Sequence, residues 1–156
     1  MNSKRRTFLK TAGGASSVAI AVAAGLLKPT QVLAQEWNKA AFEAKGVTDA
    51  MKVVGADGAA DSKDILIKAP DIAENGAVVP VEISSKIAGT TAIMLMVEKN
   101  AQPLAANFSL SNGAEGYVST RIKMGQTSNV RAVVKAGGKS YTAIKEVKVT
   151  IGGCGG

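Results

Sequence analysis

Residues 79–84 read Val79-Pro80-Val81-Glu82-Ile83-Ser84, with β-branched apolar side chains at every second position. A period of two belongs to an extended strand, whose side chains point to opposite faces in turn, so Val79, Val81 and Ile83 form one buried face. The same period recurs on both sides of this stretch. Upstream, Ile65 and Ile67 alternate with Leu66 and Lys68. Downstream, Ile93, Leu95 and Val97 share a face, with Met94, Met96 and Glu98 on the other. Val118, Thr120 and Ile122 then oppose Ser119, Arg121 and Lys123, and Val130, Ala132 and Val134 oppose Arg131, Val133 and Lys135. Last, Tyr141, Ala143, Val147, Val149 and Ile151 oppose Thr142, Glu146, Lys148 and Thr150. Turn signals separate the runs: Glu74-Asn75-Gly76, Ala88-Gly89, Ser111-Asn112-Gly113, Gly125-Gln126 and Gly137-Gly138. Several short strands at this spacing predict an all-β fold, an immunoglobulin-like β-sandwich. The chain has a single cysteine, so no intradomain disulfide helps. Packing alone must hold the core, which a domain of about 120 residues can achieve by burying well over half its unfolded surface.

The run at 93–97 is apolar on both faces, as a strand is when it is central or when a partner covers it. Filling of the core is the preferred reading for Met94 and Met96, with an interface stripe as the alternative. Ahead of the strands, residues 36–45 carry Trp37, Ala40, Ala41, Phe42 and Ala44 at the spacing of a short amphipathic helix, which Gly46 would end. A second helical turn or two is expected over 47–54, then a loop at Gly55-Ala56-Asp57-Gly58.

The 156 residues carry 19 basic and 12 acidic side chains, a formal charge of +7. Lys4, Arg5, Arg6, Lys10 and Lys28 lie before position 35 and no acid does, which leaves 14 basic and 12 acidic residues beyond it, a net +2. Residues 1–34 combine this basic start with a run of small apolar residues from Ala12 to Leu27 and with Val32-Leu33-Ala34, a small-residue cleavage site. The run has 16 residues, rich in Gly, Ala and Ser. It falls short of the ~20 strongly apolar positions of a membrane span. A cleaved export signal is therefore expected, and no stable membrane insertion. Arg5-Arg6-Thr7-Phe8-Leu9-Lys10 resembles the twin-arginine motif, with Arg5, Arg6, Phe8 and Leu9 at its defining positions and Lys4 where Ser or Thr is usual. That resemblance implies export of the folded protein to the periplasm. Since much of the basicity leaves with the signal, nucleic-acid binding loses its main support. The expected organisation is thus a signal over 1–34, a helical lead-in and sandwich over 35–151, and an arm over 152–156.

The chain contains no histidine. Ser-His-Asp and Cys-His catalysis are excluded within it, and the commonest metal ligand is missing. One cysteine builds neither a zinc nor an iron–sulfur site, and no phosphate-binding glycine motif joins a strand to a helix. No cofactor is expected. What remains is Ile151-Gly152-Gly153-Cys154-Gly155-Gly156. A lone cysteine in an exported protein is idle, paired between chains, or a free reactive thiol. An idle cysteine is normally buried as a small hydrophobe, but Cys154 has only glycines for two positions on either side. Gly152, Gly153, Gly155 and Gly156 permit nearly all backbone conformations and keep the approach to sulfur clear. Three residues beyond Ile151, the thiol can reach about 10 Å from the sheet edge. Prenylation is set aside, because it needs cysteine fourth from the end and Cys154 is third.

The ending Val149-Thr150-Ile151-Gly152-Gly153-Cys154-Gly155-Gly156 resembles the carrier arm of the SoxY family of thiosulfate-oxidation proteins. The segment Pro70-Asp71-Ile72-Ala73-Glu74-Asn75-Gly76-Ala77-Val78-Val79-Pro80-Val81 resembles that family's first strand-turn-strand region. The resemblance implies a periplasmic sulfur carrier with covalent attachment of substrate at Cys154, acted on by partner enzymes and not itself an enzyme. It also implies pairing with a SoxZ-like β-sandwich subunit, as a heterodimer or a larger assembly, or disulfide-linked through Cys154. On the same grounds a haem enzyme, SoxAX, would join thiosulfate to the thiol. SoxB would release sulfate, and SoxCD, where present, would oxidise the remaining sulfur. The rival readings are an exported sandwich subunit with a structural interchain disulfide at Cys154, and an enzyme with an unrecognised site.

Overall fold

The computed structural model describes residues 38–150. The expected export signal, with Arg5, Arg6, Phe8 and Leu9, and the expected arm, with Gly152, Gly153, Cys154, Gly155 and Gly156, lie outside the described residues, as does Trp37.

Two short helices come first. Helix α1, Lys39–Glu43, is capped by Asn38, whose Oδ1 accepts from the Ala41 N–H at 3.2 Å. Helix α2, Val47–Val53, has Asp49 in its first turn and Lys52 in its last, complementing the helix dipole. It ends in a Schellman pair of bonds, Gly55 N–H to Lys52 O at 2.9 Å and Ala56 N–H to Met51 O at 2.7 Å. The first helix is shorter than its apolar spacing suggested: it stops at Ala44, and Gly46 serves as the extended N-cap of α2.

Nine strands follow: β1 Ala60–Asp61, β2 Ile65–Lys68, β3 Ile72–Ala73, β4 Val79–Ser85, β5 Thr90–Val97, β6 Leu104–Ser109, β7 Tyr117–Ile122, β8 Ser128–Ala136 and β9 Lys139–Val149. One sheet runs β1-β9-β8-β5-β6, with β3 also pairing to β9; the other runs β2-β4-β7. The two enclose a core as a β-sandwich. Ile65, Ile67, Val79, Val81, Ile83, Val118 and Ile122 of the smaller sheet pack in one cluster with Ile93, Leu95, Val97, Val130, Ala132, Val134 and Val147 of the larger. These are the faces that the period of two assigns inward. Strands β8 and β9 meet in a two-residue hairpin, Ala136 opposite Lys139. Gly137 and Gly138 both have positive φ there, 56° and 75°, as the type I′ turn requires.

The second face of β5 is also buried, by the chain itself. Met94 and Met96 are 2% and 0% exposed and pack with Val133 and Leu104 against Ala41, Ala50, Val54 and Ala56 of the helical lead-in. The alternative of an interface stripe at Met94 and Met96 is thereby corrected: α1 and α2 lie over the outer face of the larger sheet. Strand β6 was not read from the sequence, because Leu104-Ala105-Ala106-Asn107-Phe108-Ser109 has no β-branched residue. It is held by its ladder to β5. Strands β1 and β3 have two residues each, too few to show a period.

Among the described residues no buried side-chain N or O lacks a partner. Thr142, 3% exposed on the outer face of β9, donates to the Ala132 carbonyl at 3.0 Å. Glu98 is held by Arg131 at 2.6 Å (Nη2) and 2.9 Å (Nε), and accepts from Asn129 at 2.9 Å.

Two leucines test this arrangement. Leu95→Ala, at a fully buried site, is expected to cost about 2–5 kcal/mol of unfolding free energy. Leu66→Ala, at a site 57% exposed, should change stability by no more than about 0.5 kcal/mol. Urea denaturation of both variants measures the contrast.

Candidate functional site

The described residues end at Thr150, and the last strand sets where the tail begins. By the ladder registers, the end of β9 shares one end of the sandwich with the starts of β4, β6 and β8 and the ends of β5 and β7. The β8–β9 ladder closes at Ser128 opposite Val147, so β9 outruns its antiparallel neighbour by two residues. Alternate backbone groups of this overhang point to opposite sides, and each side finds a different partner.

On one side lies β3, parallel to β9, with Ile72 opposite Lys148 and Ala73 opposite Val149. Lys148 N–H donates to the Asp71 carbonyl at 2.9 Å and Thr150 N–H to the Ala73 carbonyl at 3.2 Å. On the other side stands Thr127, the residue before β8. Its Oγ1 accepts from Val149 N–H at 2.9 Å and lies 3.4 Å from the Val149 carbonyl oxygen, to which it donates. The loop after β3 closes over the root from a third direction. Its Asn75 Oδ1 accepts from Ala77 N–H at 2.9 Å, and the Gly76 carbonyl accepts from Met124 N–H at 2.7 Å. Gly76 is required here by close approach. A Cβ at this position would run into the Met124 carbonyl oxygen and sit 2.8 Å from Val149 Cγ1.

The surrounding loops are fastened in the same manner. Asn100 donates from Nδ2 to the Lys123 carbonyl at 2.8 Å and accepts at Oδ1 from Gly125 N–H at 3.2 Å, and Lys99 N–H donates to Ser128 Oγ at 3.0 Å. Exposed Lys99, Lys123 and Lys148 lie around the root, together with exposed Glu74. Lys145 is held by Asp71 at 3.0 Å.

The expected attachment residue Cys154 and its glycines lie outside the described residues, so the described site is the root from which they continue. The structure does bring together the two stretches that carried the family resemblance: Asp71, Ala73 and Gly76 of the Pro70–Val81 segment contact Lys148, Val149 and Thr150 of the C-terminal one. Sequence reasoning missed Thr127. Its partner is 22 residues away, and a threonine after a Gly-Gln turn gives no local sign of such a bond.

Elsewhere the described surface offers little chemistry. An open depression of about 430 Å³ between residues 89–91 and 110–114 lies at the opposite end of the sandwich, lined by Leu110 and Ala114 together with the hydroxyls of Thr90, Thr91 and Ser111 and the amide of Asn112. Among the described residues no three of His, Cys, Asp and Glu come together as metal ligands. No helix among them is long and apolar enough to cross a membrane.

The family model for "Sulfur oxidation protein SoxY" matches residues 50–154. Among solved structures, the sulfur carrier protein SoxY from Chlorobium limicola f thiosulfatophilum is 42% identical, covers 70% of this chain and 96% of its own, and superposes with a TM-score of 0.62. A chain from a structure of T cell specificity and activation by the superantigen toxic shock syndrome toxin-1 is 10% identical. It covers 55% of this chain and 99% of its own at a TM-score of 0.40, too distant to carry an argument. No curated protein sequence matches.

Gly76→Ala tests the close packing of the root. The added methyl is expected to cost about 1–3 kcal/mol through overpacking. Urea denaturation measures it, and a change under about 0.5 kcal/mol would mean that the loop backs away freely.

Proposed function

The chain belongs to the SoxY family of sulfur-oxidation proteins, and from that membership we propose that this sulfur carrier holds thiosulfate-derived intermediates covalently on the Cys154 thiol. The observation that carries the reading is the placement of the only cysteine among four glycines, four residues beyond a backbone fastened on both sides at Val149 and Thr150. A nucleophile so placed is presented to other proteins, and nothing in the described domain works on it. Four residues of chain span at most about 14 Å.

Loading joins the cysteine sulfur to the outer sulfur of thiosulfate. The thiol loses its proton, an S–S bond forms, and two electrons pass to a c-type haem partner of the SoxAX kind, leaving an S-thiosulfonate. Hydrolysis by a SoxB-like enzyme then cleaves the bond between the sulfane and sulfone sulfurs. Water supplies the fourth oxygen of sulfate, both of its protons are released, and a persulfide anion remains on Cys154. Further oxidation belongs to a SoxCD-like enzyme where one is present. The carrier provides attachment and reach. Exposed Lys99, Lys123 and Lys148 around the root suit an anionic cargo, by a modest amount at physiological salt.

Location and partnership complete the proposal. Arg5, Arg6, Phe8 and Leu9 direct the folded protein to the periplasm through the twin-arginine pathway, with cleavage near Ala34. A SoxZ-like sandwich subunit forms a heterodimer with it.

Intact-mass spectrometry of the protein taken from the periplasm tests the site. Thiosulfate or sulfur adducts are expected on the C-terminal peptide. Finding only a fixed interchain disulfide there would establish the structural rival. Cys154→Ser should abolish the adducts and leave the melting temperature within about 1 °C, since it alters no described core contact.

A further inference from the structure

We infer that Thr127 is a positioning residue for the carrier arm: its hydroxyl completes the sheet where β8 has run out, and so fixes the departure point of the tail. The inference rests on the carrier reading of Cys154 for its purpose, and on the described root for its geometry.

Val149 lies two residues past the last β8–β9 pair, Ser128 opposite Val147. Its N–H and C=O point toward the side where the neighbouring strand no longer offers backbone. Thr127 Oγ1 answers both, accepting from the N–H at 2.9 Å and donating to the carbonyl oxygen at 3.4 Å. A hydroxyl does both through a single atom. The intervening groups, Lys148 N–H and Thr150 N–H, face the opposite side and are taken by Asp71 and Ala73. The overhang is therefore fastened residue by residue, by side chain on one flank and by β3 on the other.

One consequence bears on the thiol. The register of β9 is already set by the two-residue hairpin at Gly137-Gly138, by the buried bond from Thr142 to the Ala132 carbonyl and by Val147 in the core. What the Thr127 flank adds is the hold on the overhang. Without it Val149 and Thr150 depend on β3 alone and fray more often. While they are frayed, the span from the last fastened residue to Cys154 grows from four residues to six, from about 14 Å to about 21 Å at full extension. That change alters where the cargo can be found, without touching its chemistry.

The test uses the full chain, with a nitroxide on Cys154 as the natural single label. Three proteins are compared: unmodified, Thr127→Val, which keeps the shape and removes both bonds, and Thr127→Ser, which keeps the hydroxyl. In Thr127→Val the Val149 amide should exchange about tenfold faster, and the zone of nitroxide-broadened amide resonances should spread by about 7 Å from the root. Thr127→Ser should match the unmodified protein in both. Reaction of Cys154 with a small disulfide reagent should be unchanged throughout. An unaltered footprint and exchange rate in Thr127→Val would overturn the inference. So would Thr127→Ser behaving like Thr127→Val, since packing of the methyl would then be the cause. In the unmodified protein alone, a Val149 amide exchanging as fast as an unprotected one would do the same. None of these outcomes depends on sulfur being loaded, so a failure of the carrier reading shows separately, in the mass of the C-terminal peptide.

Discussion

Strand β9 is the constraint on which the rest of the architecture depends. Its eleven residues pair with β8 along one edge and with β1 and β3 along the other, and it ends at the tail. On the carrier reading, a strand that delivers an arm outward cannot finish inside the core, yet it must be fixed firmly enough to define an exit. The structure resolves this by letting β9 overrun β8 and by bringing short pieces of backbone and one hydroxyl to the overhang. The backbone N–H bonds among these fastenings are of ordinary length, 2.9 to 3.2 Å, while the Thr127 bond to the Val149 carbonyl is long at 3.4 Å. An ordinary one contributes about 1 kcal/mol, so the root is held by their number and by the burial of Val147 beneath them.

An edge strand carries a hazard as well as an opportunity, since free N–H and C=O groups invite another strand to add. Between the β1 and β3 pairings, Ile144 and Glu146 direct their backbone groups to this edge by the alternation that continues from Thr142 to Lys148. The neighbouring Lys145 lies on the inward-facing side of the strand, among residues that otherwise pack into the core, and reaches Asp71 at 3.0 Å. An inward charge at an edge opposes strand addition, because a second sheet would have to bury it. The same ion pair ties the residue before β3 to β9, so edge protection and anchoring of the root share one contact. Its side chains are 32% and 90% exposed, which limits its energetic value and leaves the protective role as the larger one.

Much of the fold was legible because alternation survives wherever a strand is buried on one face, as in Val79-Val81-Ile83 and Val130-Ala132-Val134. It failed for Leu104–Ser109, where alanine and asparagine give no strand preference and β5 supplies the order. The double burial at Ile93–Val97 was visible, but not its cause, because a helix cover and a partner cover leave the same apolar pattern. The answer lay in Ala41, Ala50, Val54 and Ala56, small residues that let α1 and α2 approach the sheet. At the candidate site, the cysteine and its glycines are a sequence expectation that lies outside the described residues. The fastenings could not be read from the chain, because they join Thr127 to Val149, Asp71 to Lys148 and Ala73 to Thr150, positions far apart in it, through single hydroxyls and carbonyls. Composition does not encode such pairs.

On the carrier reading, the short tether has a consequence for whatever enzymes act on it. With a reach of about 14 Å from Thr150, the thiol cannot enter a buried active site unless the enzyme closes against the end of the sandwich itself. The surfaces at that end are the loops at 74–78, 98–103 and 123–127, and their backbones are held by Gly76, Asn100 and Ser128. On that reading, any enzyme that takes the thiol meets the same hydrogen-bonded rim, whatever the cargo on the arm. Discrimination between loaded and unloaded carrier then falls to the attached group, which each active site alone can sense, while the domain supplies a constant grip. A longer tether would relax this demand and weaken the grip's contribution to local concentration. On the carrier reading, a short span beyond Thr150 and a fastened root serve the same requirement.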